Sequence, residues 1–313
     1  MPHNRCAYRQ KVGFGELHYT TSRRDCPGLP PLARPLEVPL QWQNRLAASC
    51  AAKPVLNAFT RPSPRPSINA YFLPELAPLD ALPSGHVVVI DVLRATTVIV
   101  QALASGARDV RPCLEVDEAR SLAATLNAGE FVLGGEREGL PITGFDLGNS
   151  PCDYTAKAVG GKTVVFTTTN GTKAMNRCQA AVAKPVLIAG FVNRAAVAGR
   201  LRSASRVHLV CSGTGGEITR EDVLLAGALV NRISTDQDLP ALNDQARLAR
   251  DAWRHIGGES TGANVLSTEL RETQGGMNLT ELGLAADIDG AAQIDRFDLV
   301  PVLDVQAMRI ASG

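Results

Sequence analysis

The 313-residue chain has no apolar run approaching the ~18 residues that cross a bilayer, and its start lacks the charged-then-apolar order of a secretory signal. Both absences predict a cytoplasmic protein with no membrane contact. Cysteine is sparse and unpatterned: seven residues, at 6, 26, 50, 113, 152, 178 and 211, form no C-x-x-C pair and no metal-ligand spacing. Reduced structural thiols are expected. Histidine is rarer still beyond residue 66, where His86, His208 and His255 are the only three. The first two sit at or inside apolar runs, so packing is expected of them and not base catalysis. Nucleotide fingerprints are missing, because no Gly-x-x-x-x-Gly-Lys loop exists and no Gly-x-Gly-x-x-Gly follows the first strand. There is no Gly-x-Ser-x-Gly elbow either.

The net charge of +1 conceals a split. Residues 1–66 carry ten Lys/Arg against three Asp/Glu, while the remainder carries 22 against 28. The mildly acidic remainder argues against a nucleic-acid surface. Ten of the nineteen prolines also lie in residues 1–66, a composition that predicts a disordered basic extension. With the chain 45% apolar, residues 67–313 are expected to form a single domain without staples.

From Ile68 onward strand and helix patterns alternate. Strands are predicted at 68–73, 86–90, 109–113, 131–134, 163–168, 185–189, 207–211 and 299–303. Helices are predicted at 96–105, 116–127, 151–159, 171–177, 194–202 and 220–233. Such alternation implies βαβ units and a mostly parallel sheet covered on both faces. Two helix starts are explicit: Ser150-Pro151-Cys152-Asp153 and Thr219-Arg-Glu-Asp222 read as capping sequences. Residues 237–290 read as helices and loops with no assigned place on the sheet.

The run His86-Val-Val-Val-Ile-Asp91 is a fully buried strand ending on an acid, at the sheet end where α/β folds place ligands. Asp91 is read either as a helix cap or as a reacting group. The later strand ends Thr167-Thr-Thr-Asn170-Gly171-Thr172 and Cys211-Ser212-Gly213-Thr214 offer backbone N–H groups and hydroxyls to an oxyanion. Between them, glycines flank Glu136, Arg137 and Asp146, which are read as site residues, whereas Glu138 is read as a solvated charge. Cys211 resembles a thiol nucleophile, but Glu217 stands where such a site needs an arginine. What remains is acids, arginines and anion-binding turns, which suit a hard cation acting on a phosphoryl group.

These segments, from Val89-Ile90-Asp91 through Gly135-Glu136-Arg137, Gly144-Phe145-Asp146, Asn149-Ser150-Pro151, Asn170-Gly171-Thr172 and Glu221-Asp222 to Arg271 and Asn278-Leu279, resemble the 2-phosphosulfolactate phosphatase family over about residues 68–310. The resemblance implies a three-layer α/β/α sandwich with a mostly parallel, mixed sheet. It also implies a Mg²⁺-dependent phosphatase of coenzyme M biosynthesis that converts 2-phospho-3-sulfolactate to 3-sulfolactate. Asp91, Glu136 and Asp146 are then expected to be catalytic, with Asp91, Glu136, Asp146, Glu217 and Glu221 as the pool of Mg²⁺ ligands. Thr169, Asn170, Gly171, Ser212, Gly213 and Thr214 would hold phosphate, and Arg94, Arg137 and Arg271, with Asn149, the rest of the substrate.

Asp91 is open to two roles, ligand or nucleophile, although Leu93 breaks the Asp-x-Asp pattern of aspartyl-phosphate enzymes. Glu221 and Asp222 also suit a plain helix-dipole role. Two departures from the family pattern are the basic extension and Met277, which stands where a basic residue is expected. The expected partner is a small phosphorylated hydroxy acid, with no nucleic acid and no membrane, and a homo-oligomer is left open. Alternatives are another small 2-phosphohydroxy acid as substrate, or a non-catalytic anion-binding protein.

Overall fold

The Val/Ile run forms strand β2 (His86–Ile90), and its alternate side chains enter two different cores, as a two-residue period requires. Val88 and Ile90 pack into one core, Val87 and Val89 into the other. A computed structural model describes residues 66–179, 186–234 and 240–313. The extension expected before residue 67 lies outside these, apart from Pro66.

Around β2 stand β1 (Ser67–Tyr71), β3 (Asp109–Pro112), β4 (Phe131–Arg137), β5 (Leu140–Pro141), β6 (Thr163–Thr167), β7 (Val186–Ala189), β8 (Arg206–Cys211), β9 (Ala241–Leu242), β10 (Pro301–Asp304) and β11 (Arg309–Ser312). They form one 11-stranded sheet in the order β5-β4-β6-β3-β11-β10-β7-β2-β8-β1-β9. Two parallel blocks, β4-β6-β3 and β7-β2-β8-β1-β9, are separated by the antiparallel hairpin β10–β11. The sheet is therefore mixed, with a parallel majority.

Ten helices among the described residues cover it: α1 (Ala95–Ala104), α2 (Val116–Ala123), α3 (Ala156–Val159), α4 (Gly171–Gln179), α5 (Arg194–Leu201), α6 (Arg220–Ile233), α7 (Asp244–His255), α8 (Ala263–Arg271), α9 (Gln274–Glu281) and α10 (Ala285–Ala291). Helices α5 to α10 supply Val197, Leu224, Trp253, Leu266, Leu279 and Ile288 to the core beneath β2's Val88 and Ile90. On the other face α1 and α4 bury Val98, Ile99, Ala174 and Met175. The result is the three-layer α/β/α sandwich.

Four local expectations change. The helix predicted over 151–159 is a 3₁₀ turn (Pro151–Asp153) followed by α3, because Thr155 caps the second piece by accepting from Ala158 N–H at 3.3 Å. Neither Ser150 nor Thr219 makes a side-chain cap bond. Within the region left off the sheet, Ala241–Leu242 pairs with Ser67 and Ile68 as an edge strand. The single strand expected near 299–303 is a hairpin, turned where Asp304 Oδ1 accepts from Gln306 and Ala307 N–H at 2.9 and 3.1 Å.

Candidate active site

Asp91 follows β2 directly and is 7% exposed. Its Oδ1 accepts from Ala95 N–H at 3.1 Å, at the start of α1, and Thr96 Oγ1 bonds both its N–H and its carbonyl. The helix-cap reading is realised on one oxygen. Oδ2 makes no hydrogen bond among the described residues and lies toward Gly171. A Cβ on Gly171 would stand 2.8 Å from it and 2.5 Å from Ala95 Cβ. Glycine is thus what lets the start of α4 abut this carboxylate.

The segment between β6 and α4 is held from the neighbouring strand. Glu136 of β4, 6% exposed, accepts from Thr169 N–H and Gly139 N–H, both at 2.7 Å, and from Thr169 Oγ1 at 3.2 Å. Both oxygens of Glu136 therefore tie backbone in place. Thr168 Oγ1 accepts from Thr172 N–H at 3.3 Å, and Asn170 Oδ1 from Gly215 N–H at 3.2 Å.

At the end of β8, Asp222 occupies the amides predicted to hold an anion. Its Oδ2 accepts from Ser212 and Gly213 N–H, each at 3.1 Å, and its Oδ1 from Val92 N–H at 2.9 Å. The first-turn acid is thus a brace between the ends of β2 and β8 and more than a dipole charge. Thr214 and Glu217 close a tight turn through reciprocal backbone bonds of 3.0 Å, with the Glu217 side chain exposed. Glu221 is 2% exposed, and its Oε2 has no partner among the described residues. A Cβ on Gly275 would overlap Glu221 Oε1, so the start of α9 closes over this acid.

Three buried carboxylates here repel one another's charge. Burial pushes Asp91 up to about 7 against the pull of the Ala95 N–H, and Glu136 and Glu221 add to the rise. Burial likewise raises Glu221, opposed by its own N–H, Thr273 and Gly275 N–H, and raises Asp222 well above the carboxylate range, with Asp91 and Glu221 contributing. Cys211, fully buried, has its thiol pushed well above its ordinary value by burial and by Asp222 and Glu221, which makes it unreactive.

A cavity of about 440 Å³ opens over these strand ends, walled by Asp91, Arg94, Glu136, Asn149 and the 168–170 and 214–215 turns on one side and α9 on the other. Of the three arginines read as substrate-binding, only Arg94 reaches it. Arg137 donates to the carbonyls of Glu136 and Leu114 and to Thr167 Oγ1 at 2.8–3.0 Å. Arg271 makes a two-pronged pair with Asp289, 2.9 Å to each oxygen. Asp146 is exposed and caps the sheet edge by accepting from Leu133 N–H at 2.8 Å. None of Asp146, Glu217 and Glu221 borders the cavity, Glu221 lying behind Gly275, and Met277 is 44% exposed outside its lining.

Several wall residues had no site role assigned from sequence. Glu138, expected to be merely solvated, lines the mouth in a left-handed conformation (φ 53°). Asn278 and Glu281 share one face of α9, a spacing readable only once that helix is known to face the site. Leu93, Leu279 and Leu282 give part of the wall an apolar surface.

Among the described residues, no three His, Cys, Asp or Glu side chains gather into a metal cage. Magnesium needs less, since it takes one or two carboxylates, keeps several waters and completes its shell with substrate phosphate. Asp91 Oδ2 on the cavity wall, and Glu221 Oε2 behind Gly275, both without a hydrogen-bond partner among the described residues, fit that demand. Glu136 and Asp222 have both oxygens on N–H groups instead, and Asp146 has Oδ2 on one and lies outside the cavity.

The family profile described as 2-phosphosulpholactate phosphatase matches residues 71–306. A protein of Pseudothermotoga lettingae named "Probable 2-phosphosulfolactate phosphatase" is 40% identical over 236 residues, covering 75% of this chain and 95% of its own length. One of the same name from Caldanaerobacter subterraneus subsp. tengcongensis is 37% identical over 223 residues, 71% of this chain and 89% of that one. The match begins within β1 and ends between β10 and β11, so it takes in the cavity and nearly all of the sheet that carries it. With a family profile over three quarters of its length and relatives of 37–40% identity, the chain belongs to the 2-phosphosulfolactate phosphatase family.

Proposed function

We propose that this chain is a Mg²⁺-dependent phosphatase that hydrolyses 2-phospho-3-sulfolactate to 3-sulfolactate and phosphate. The observation that carries the proposal is the abutment of Asp91 against the start of α4 across Gly171, which sets a carboxylate beside a helix N-terminus on one cavity wall. Asn170 and Gly171 N–H groups, reinforced by the helix dipole, would donate to the phosphoryl oxygens, as would the Thr168 hydroxyl. Glu136 holds the 168–170 turn in the conformation that presents them.

Asp91 and Glu221 would hold the Mg²⁺. When bound, the ion neutralises charge on the phosphoryl group and makes a coordinated water more acidic. Arg94 would pair with an anionic group of the hydroxy acid, and Asn149 and Asn278 would complete its polar surroundings. The amides of Ser212 and Gly213 position Asp222 and are not assigned to phosphate.

A second reading has one observation in its favour: Arg94 is the single guanidinium on the cavity wall among the described residues. A substrate with one anionic group besides phosphate, such as phospholactate or phosphoglycolate, needs no more than that. Phosphate release from all three esters, with and without Mg²⁺, decides between them. Mg²⁺-dependent preference for the sulfonated ester supports the proposal; equal or better turnover of the others reassigns the substrate. Tight phosphate binding without release from any ester would leave an anion-binding protein.

A further inference from the structure

Asp287 lies on α10, outside every segment that carries the family resemblance, yet it is 2% exposed and both its oxygens are engaged at the cavity wall. Oδ2 accepts from Arg94 Nη1 at 2.7 Å, and Oδ1 accepts from Ser150 Oγ at 2.5 Å. Arg94 follows β2, whereas Ser150 follows Asn149 in the loop beyond β5. One side chain from the outer helical layer thus grips two wall segments that come from different parts of the sheet.

Both segments end in groups that face the cavity. Arg94, with its side chain 4% exposed, donates a second bond from Nη2 to Gly139 O at 3.0 Å, which leaves three of its five N–H groups unassigned. Asn149 is 6% exposed, and its Oδ1 is buried without a partner among the described residues. Ser150 would ordinarily cap the turn that follows it, yet it makes no cap bond and donates to Asp287 instead. Arg94 also lies within electrostatic range of Asp91. A long cationic side chain with no carboxylate of its own would turn toward that acid.

We propose that Asp287 is a positioning residue, which aims the Arg94 guanidinium at the anionic end of the substrate and, through Ser150, sets the Asn149 segment opposite it. The inference rests on the reading of Arg94 as a substrate contact. Asp287 itself touches no reacting atom, so its removal weakens binding more than it slows the chemical step.

A double-mutant cycle with Arg94→Ala tests this, read as kcat and KM for whichever of the three phosphate esters the wild type turns over best. Asp287→Asn is expected to raise KM by about tenfold or more with kcat within about threefold, and Asp287→Glu to restore part of the loss. On the Arg94→Ala background the same Asp287→Asn change should alter KM by less than about twofold. An equal penalty on both backgrounds would mean that Asp287 only supports the fold, and would overturn the proposal.

If Asp287→Asn does not fold, Asp287→Glu carries the same cycle, because it keeps the charge and displaces it by a methylene. If the wild type turns over none of the esters, the functional reading fails separately. The positioning claim is then decided by the crystal structure of the Asp287 variant: a guanidinium of Arg94 turned toward Asp91 supports it, and one left in place overturns it.

Discussion

Asp91 divides its two oxygens between structure and solvent. Oδ1 accepts from the first turn of α1, and Oδ2 stays on the cavity side among like charges. Its folded value near 7, against 3.8 for the ordinary carboxyl, means that the folded state binds more protons than the unfolded chain across that interval. Stability is therefore lost, not gained, as pH rises through it. Asp91→Asn is expected to lower kcat/KM at least about 100-fold, the scale seen when one transition-state electrostatic group is removed. Melting curves of the same variant should rise relative to wild type, and by more at pH 8 than at pH 5. Cys211→Ala is the complementary case. With its thiol buried and held protonated, the variant should keep turnover within about threefold, and loss of activity in a folded protein would revive a thiol mechanism. At this scale the sequence identified Asp91 and Glu136 as residue types in place. It could not show that Arg137 and Arg271 already have partners, since Leu114, Thr167 and Asp289 come from other elements.

The start of α4 and the end of β8 work as elements. A methyl group at position 171 would meet both Asp91 and Ala95, so Gly171→Ala should cost about 1–3 kcal/mol in urea unfolding and reduce phosphate release at the same time. Unchanged turnover would detach the helix end from the chemistry. At β8, three N–H groups converge on Asp222. Asp222→Ala leaves them buried and unpaired, at about 1–3 kcal/mol each. That variant should lose much of its folded population, which circular dichroism in urea will show. Most of these elements were legible from period and turn chemistry: β2, and the helix from 220 to 233, fall at their predicted bounds. The second hairpin strand β11 and the edge strand β9 were not, because β9 has two residues and β11 has Ile310 as its one fully buried position, which is too little alternation to stand out.

Across the whole molecule, four strands stand between β6 and β2 in the sheet, yet the loop after β6 reaches Asp91. The sheet must curl for its two parallel blocks to share one cavity. The central strands carry a second consequence in His208, which is 1% exposed on β8 and paired with the Tyr71 hydroxyl at 3.2 Å. Burial, with Arg206 nearby, lowers its pKa to about 4. The unfolded chain takes up that proton near 6.5, so this contribution to stability is full above pH 6.5 and is lost as pH falls toward 4. His208→Asn should flatten the acid limb of stability between pH 6.5 and 4.5, measured as wild type minus variant in urea. Deleting residues 1–65 should leave kcat/KM unchanged, because the sheet starts at Ser67 and the family match at residue 71.

Local pattern alone determined the strand-helix alternation, the parallel majority of the sheet and the placing of an acid at the end of its most buried strand. Each of these follows from side-chain period and turn residues within a few positions along the chain. Which charges are free was decided only by the tertiary structure. Arg94 meets Asp287, Asp222 meets the 212–213 amides, and Glu136 meets Thr169 through contacts that join distant segments. A guanidinium or carboxylate looks the same in sequence whether it faces a substrate or a neighbour, and only packing three layers together settles which one it meets.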